Sequence, residues 1–300
     1  MAQFIPSIER FANRHREHCF ANRSQIRTIG LRRRQQARLE IPAENDTKVA
    51  LYTIVQTHGE KRDKVFVSYR NADELKARLG ITKNGPFPGR FNAQVTADLS
   101  EEDARTVGEF IERLSDNGQH RGLIAIAPHG GQIEPHTDEQ AEQVRKRLSS
   151  KGISVWLCKG FRKEDEDDDS AYVRWHITSS DISEKSFPLL EKVYRRRFEY
   201  AVAFHGWNDE SNSICIGGRA PNELKQQVKV AIEKIVSGSD ITVAIGCDCP
   251  SDFNGDDDDN IVNRLGMNGL QLEQSKQARK HFGKDIANAV ADIIGPKITV

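Results

Sequence analysis

The sequence predicts an α/β protein: a three-layer α/β/α core on a mostly parallel sheet, preceded by a small β-rich unit. Three observations carry this reading. After residue 121, short apolar runs alternate with amphipathic stretches of helical length, as expected of buried strands connected by helices on both faces. Between residues 49 and 95 the runs are instead β-branched and aromatic and are separated by turn residues. A chain of 300 residues with 37% hydrophobic content is long enough to bury one large core or two modest ones.

Charge and cysteine content narrow the function classes. Lys+Arg and Asp+Glu both number 44, so the net charge is zero, which argues against a dedicated nucleic-acid binder. No run approaches the roughly 18–20 apolar residues that cross a bilayer. The five cysteines (Cys19, Cys158, Cys215, Cys247, Cys249) are scattered and odd in number, so reduced thiols in a cytoplasmic setting are expected. Cys247-Asp-Cys249 lacks the two-residue spacing of a zinc knuckle or redox motif. The first 20 residues contain no apolar signal core.

Residues 1–48 read as an Arg-rich N-terminal extension. Its first 40 residues hold nine arginines, no lysine and three acidic residues. Such a composition suits organelle targeting or an anionic surface, or simply a charged, partly helical arm. Residues 49–118 read as a small β-rich accessory unit with a helix. Strands are expected at Val49–Gln56 and Lys64–Tyr69, separated by His58-Gly59, and at Phe91–Val95 after turns at Asn84-Gly85-Pro86 and Pro88-Gly89. Helices are expected at Ala72–Leu79, stopped by Gly80, and at Leu99–Leu114, capped by Ser100.

Residues 119–300 read as the catalytic domain. Expected strands are Leu123–Ala127, Ile153–Leu157, Tyr200–Phe204, Ser213–Ile216, Ile241–Ile245 and Leu270–Glu273. Expected helices are Thr137–Leu148 with Thr137 as cap, Leu189–Arg197, Asn222–Val236 and Gln274–Ile294. The acidic runs Glu164–Asp169 and Asp256–Asp259 lack the ligand spacing of an EF-hand and read as solvated loops.

In open α/β sheets, functional groups collect beyond the carboxyl ends of the strands. That filter selects His129 with Glu134 after LIAIA, His205 after YAVAF, and Glu273 in LQLE. His129 and Glu134 alone fit a loop salt bridge, and a lone histidine fits a satisfied core residue. Together, two His and a Glu are a common ligand set of a catalytic zinc with an open fourth position. Gly130-Gly131 allows His129 and Glu134 to turn towards one ion. Water held there deprotonates near neutral pH, and Glu273 is available to shuttle protons.

Five segments stand in the order found in the poly-γ-glutamate hydrolase family: APHGGQIEP (Ala127–Pro135), WHITSSDI (Trp175–Ile182), AFHGW (Ala203–Trp207), IGGRAP (Ile216–Pro221) and QLEQS (Gln271–Ser275). The chain resembles that family from about Arg121 to Ile294, and the family is similar in fold to zinc carboxypeptidases and aminoacylases. The resemblance implies a carboxypeptidase-like core and one Zn2+ per chain, held by His129, Glu134 and His205. It implies Glu273 as general base. His176 would lie near the metal and bind substrate or stabilise an oxyanion; its alternative role is to order the Thr178–Ser180 turn. Arg219 and Arg174 are candidates for binding substrate carboxylates, because guanidinium pairs with them in bidentate fashion. His136 and Asp138 either orient a ligand or cap the next helix.

The resulting expectation is a zinc-dependent amide hydrolase acting on γ-glutamyl bonds of a carboxylate-rich substrate. Hydrolysis of N-acyl amino acids on the same fold, and a non-catalytic binding protein, are the alternatives. A nucleic-acid role rests on the Arg-rich N-terminus alone. On this reading, deletion of residues 1–40 leaves amidase activity intact.

Overall fold

The computed structural model describes residues 3–8 (as backbone only), 16–42, 47–57, 64–69, 72–82, 85–207, 212–250 and 253–298. His58-Gly59 and Asn84 of the expected turns, and Arg10 and Arg14 among the nine N-terminal arginines, lie outside the described residues. The chain divides into two compact units, residues 1–110 with 161–188, and residues 111–160 with 189–300.

The first unit is built on a seven-stranded sheet. In chain order its strands are β1 (Gln3–Ile8), β2 (His18–Asn22), β3 (Gln36–Pro42), β4 (Thr47–Thr57), β5 (Lys64–Tyr69), β6 (Phe87–Pro88) and β7 (Arg90–Asn92). They are arranged β6-β1-β5-β2-β4-β3-β7. β1 pairs parallel with β5 and β2 parallel with β4, while β3 runs antiparallel to β4. Residues 1–48 are therefore not an appended arm, because β1, β2 and β3 are integral strands of this sheet. In β3 the apolar residues Ala37, Leu39 and Ile41 alternate with polar ones and enter the core beside Cys19 and Ala21 of β2. The interleaved Arg38 and Glu40 conceal that alternation in a reading by composition.

Helices α1 (Arg23–Thr28), α2 (Ala72–Leu79) and α3 (Glu101–Val107) belong to the same unit. Ser100 caps α3 by accepting a hydrogen bond from Asp103 N at 3.0 Å. The helix expected to reach Leu114 ends instead at Gly108, which takes the left-handed conformation (φ 70°). Phe110–Ser115 then continues as strand β8. The expected strand Phe91–Val95 is confined to the short β7.

Residues 161–188 return to this unit and are stitched to its N-terminal strands. Glu17 Oε1 accepts from Thr178 N at 3.1 Å, and His18 Nε2 meets Asp181 Oδ2 at 2.6 Å. The buried Gln36 amide donates to Asp181 O at 2.7 Å and accepts from Ser183 N at 2.9 Å.

The second unit carries the predicted α/β fold. After β8 come β9 (Leu123–Gly131), helix α4 (Thr137–Arg147) and β10 (Ser154–Gly160). Helix α5 (Ser170–Trp175) falls in the first unit. The second unit resumes with α6 (Pro188–Tyr194), β11 (Phe198–Gly206), β12 (Ser213–Gly217), α7 (Asn222–Ile235), β13 (Thr242–Ile245), α8 (Ile261–Leu265), β14 (Gly266–Gln274) and α9 (Lys276–Ile294). The seven strands are ordered β13-β12-β14-β11-β9-β10-β8. β9 pairs parallel with β10 and β11, and β11 parallel with β14; β12 runs antiparallel to β14. Leu123, Ala125 and Ala127 of β9 enter one core with α4, α7 and α9, while the alternating Ile124 and Ile126 are equally buried. Both faces of the sheet are thus covered, which is why its strands read as continuous apolar runs.

Two local expectations are corrected here. Thr137 is not the cap of α4: the cap position is His136 in a left-handed conformation, and Thr137 Oγ1 donates back to Glu134 O at 2.9 Å. The five thiols are not all free, because Cys215 of β12 and Cys249 beyond β13 form a disulfide with a Cα–Cα separation of 5.7 Å. β12 and β13 are parallel neighbours, and a short turn after β13 brings Cys249 back against Cys215 within the bridging range. The acidic run Glu164–Asp169 is also not wholly solvated, since Glu166 pairs with Arg174 at 3.0 Å. Among the described residues no helix is long and apolar enough to cross a membrane.

Candidate metal centre

Three predicted ligands meet at the carboxyl ends of neighbouring strands. β9 ends in His129-Gly130-Gly131, and Gly131 adopts a positive φ of 71° that turns the chain back on itself. Glu134 N then donates to His129 O at 2.8 Å, closing a short loop that returns the Glu134 side chain to His129. Asp138 holds this turn by accepting from Gly131 N at 3.2 Å while pairing with Lys159 at 2.8 Å. Gly130 admits no side chain, since a Cβ would fall 2.7 Å from that of Asp138 and 2.9 Å from Cys158 O.

His205 ends the adjacent parallel strand β11. Its Nδ1 lies 3.1 Å from His129 Nδ1 and 3.3 Å from Glu134 Oε2. His129 Nδ1 is 2.9 Å from Glu134 Oε1. Gly206 N donates to Glu134 Oε2 at 3.0 Å and fixes the carboxylate. All three side chains are buried. Burial works against ionisation of Glu134, yet the two imidazoles hold its carboxyl well below the usual carboxylate range.

The donor set fits a tetrahedral ion. Atoms bound to zinc at about 2.0–2.1 Å with tetrahedral angles stand roughly 3.3–3.4 Å apart, close to the separations found here. Two imidazole nitrogens facing each other at 3.1 Å beside a carboxylate also suit a cation between them.

Glu273 lies opposite His205 in the β11–β14 register and accepts from Gln271 Nε2 at 3.1 Å. Burial, reinforced by the Glu134 carboxylate, pushes its carboxyl up to about 8, against the opposing pull of His205 and Arg279. A carboxyl poised near neutrality beside a ligand cluster is suited to move protons.

A model of the poly-gamma-glutamate hydrolase family matches residues 97–292, well over half of the 300-residue chain. The chain belongs to this family. Among its relatives is the UPF0714 protein YmaC of Bacillus subtilis, 29% identical over 165 residues, a match covering 54% of this chain and 61% of YmaC. The chain thus spans about six-tenths of the length of that curated relative. Its solved structural matches include a bacteriophage poly-gamma-glutamate hydrolase (23% identity, TM-score 0.48, covering 65% of this chain and 93% of that one). Another is an apo, zinc-free form of YndL (20% identity, TM-score 0.47, covering 63% and 90%).

Within this poly-gamma-glutamate hydrolase family member, the remaining candidates do not join the cluster equally. Because β12 runs antiparallel to β14, Gly217 lies opposite Gln271, and Ala220 N donates to Gly269 O at 2.7 Å. Arg219 therefore leaves the sheet towards the start of β14, away from Glu273, and its guanidinium pairs with Asp258. Arg174 lies in the first unit, buried, with its guanidinium committed to Glu166, Gly108 O and Phe161 O at 2.6–3.0 Å. That unit also holds His176, which ends α5 with its ring 4.7 Å from that of Tyr172.

Residues not singled out in the sequence support the centre. Gln140 of α4 and Gln274 of β14 exchange reciprocal amide hydrogen bonds at 2.8 and 2.9 Å, and Gln274 Nε2 also reaches His205 O at 3.3 Å. Arg279 of α9 is buried beside them. A signal for it exists, since Arg279 falls on the face of α9 that carries Gly283, Ile286 and Val290, and a cation on an apolar stripe calls for a partner.

Proposed function

We propose that this protein is a zinc-dependent amide hydrolase that cleaves γ-glutamyl bonds in a carboxylate-rich substrate. The observation that carries the reading is the convergence of His129 Nδ1, His205 Nδ1 and the Glu134 carboxylate within 2.9–3.3 Å, with Glu273 opposite His205 on the neighbouring strand. His129, Glu134 and His205 would hold the ion. When bound, zinc supplies a Lewis acid for the scissile carbonyl and lowers the pKa of its water.

The chain's own residues do the rest. Glu134 stays ionised as a ligand, held by the imidazoles and by Gly206 N. Glu273 takes the proton of the attacking water on a carboxylate oxygen and delivers it to the departing amine nitrogen, a role its raised proton affinity suits. Gln271 orients that carboxyl through Oε1. His176 is proposed, from the family resemblance, to contact substrate, with the Tyr172 ring fixing its imidazole. The γ-glutamyl substrate is inferred from family membership.

Metal analysis by mass spectrometry on wild-type protein and on a His129→Ala/His205→Ala double variant tests the reading. About one zinc per chain, lost in the double variant, supports it. Hydrolysis of poly-γ-glutamate set against a panel of N-acyl amino acids then decides the substrate. A wild type that takes up no zinc from metal-containing buffer overturns the mechanism.

A further inference from the structure

The centre depends on two chain segments, the turn after β9 that carries Glu134 and the end of β11 that carries His205. Both are followed by a backbone carbonyl that points at one side chain. Arg279 Nη1 donates to Pro135 O at 2.8 Å, and Nη2 donates to Trp207 O at 3.2 Å. Pro135 directly follows Glu134, and Trp207 stands two residues beyond His205. Arg279 is 5% exposed, and hydrogen bonds of a charged donor at a buried site are stronger than their neutral counterparts.

The fit is close. A Cβ on Gly206 would lie 2.2 Å from Arg279 Nε and 2.3 Å from its Cζ, so any side chain at this position would displace the guanidinium. The same Gly206 offers its N–H to Glu134 Oε2. Arg279 Nε itself has no hydrogen-bond partner among the described residues. The guanidinium therefore lies close against Gly206 and makes its hydrogen bonds through its two terminal nitrogens. A buried charge placed this way carries a desolvation cost that packing alone does not require.

We propose that Arg279 is a positioning residue of the metal centre: from α9 it clamps the two ligand-bearing segments together through Pro135 O and Trp207 O. It touches neither substrate nor metal. Its effect is to fix the spacing of Glu134 and His205 before an ion arrives, as partners behind metal ligands commonly do. The proposal rests on the zinc reading given above.

The test compares the zinc affinity of wild type, Arg279→Gln and Arg279→Lys by competition with a chelator of known affinity. The visible absorption of the cobalt-substituted proteins serves as a second readout of ligand geometry. Arg279→Gln is expected to weaken zinc binding by about 10–100-fold, the range for such partners. Arg279→Lys, which keeps the charge but reaches only one carbonyl at a time, is expected to recover part of the loss. Cobalt bands should shift in both, while Lys280→Ala on the exposed face of α9 changes nothing.

Wild-type affinity and cobalt spectrum in a folded Arg279→Lys or Arg279→Gln variant overturn the proposal. Failure of both variants to fold assigns the residue to the fold and overturns it too. Absence of zinc binding in the wild type is a different result, and it overturns the zinc reading itself.

Discussion

His129 Nδ1 and His205 Nδ1 stand 3.1 Å apart although 76 residues separate them in the chain. Both histidines end strands of one sheet, and Glu134 lies within 3.3 Å of each. An ion held by these three side chains, as proposed, ties the two strand ends and the intervening loop together. Chelation is therefore expected to lower the melting temperature, and zinc to restore it. A ligand at a thousand times its Kd contributes about 4 kcal/mol, so a shift of several degrees is the expected size. A melting temperature indifferent to both treatments contradicts an ion at this place.

Glu273 separates chemistry from metal binding. Glu273→Gln keeps the shape and the contact with Gln271 but loses the proton acceptor. Hydrolysis is expected to fall by about 10²–10⁴-fold, the usual contribution of a positioned acid–base group, with zinc content unchanged. Loss of both together would make Glu273 a ligand and remove it from the role of base.

The cysteines give a count. Cys19 and Cys158 are buried and free, Cys247 is exposed, and Cys215 is bridged to Cys249. One thiol is expected to react with a chromogenic disulfide reagent in the native protein, three after denaturation, and five after denaturation with reductant. Five without reductant would mean that the bridge does not form.

Deletion of residues 1–40 is expected to unfold the first unit rather than to leave it intact. It removes β1, β2 and most of β3, together with Glu17, His18 and Gln36, which hold residues 178–183. Limited proteolysis of the truncated protein is the check: rapid loss of residues 161–188 supports the account, and a resistant first unit refutes it.

Acid stability has a definite sign at Asp116. Arg196 hydrogen-bonds this carboxylate and, with Ser154, pulls it down to about 2 against the cost of burial. A group depressed on folding contributes stability that is present above its unfolded pKa of about 4 and is lost as pH falls towards 2. His120 beside it is lowered by burial, so the folded state also resists its protonation, and stability falls as pH drops through the imidazole range. Denaturant midpoints at pH 3 and pH 7 should differ less in Asp116→Asn than in the wild type.

Much of the second unit is legible in the sequence because its strands are buried on both faces and so appear as bare apolar runs. LIAIA and YAVAF announce themselves, and the strand-end rule leads from them to His129, Glu134 and His205. The first unit is less legible for the opposite reason. Its strands alternate, and Arg38 and Glu40 between Ala37, Leu39 and Ile41 read as charge rather than as one face of a sheet. The start of β8 at Phe110 falls within the helix expected over Leu99–Leu114, because periodicity does not register the left-handed turn at Gly108. The position of Arg219 is not legible either, because strand direction decides which end of a sheet a loop occupies. Neither the antiparallel course of β12 nor the Cys215–Cys249 bridge across its neighbour leaves a local trace.

The pairing of His205 with Glu273 on one rung of β11 and β14 bears on how such a protein can change. Side chains alternate between the faces of a strand, so a one-residue insertion ahead of either would turn it to the other side of the sheet. Length variation is thereby barred from the two strands. The segment before β14 is constrained as well, since Cys249 is bridged to Cys215 and the buried Asn260 donates to Gln271 Oε1 at 2.8 Å, so the frame that keeps His205 and Glu273 in step reaches beyond the two strands that carry them.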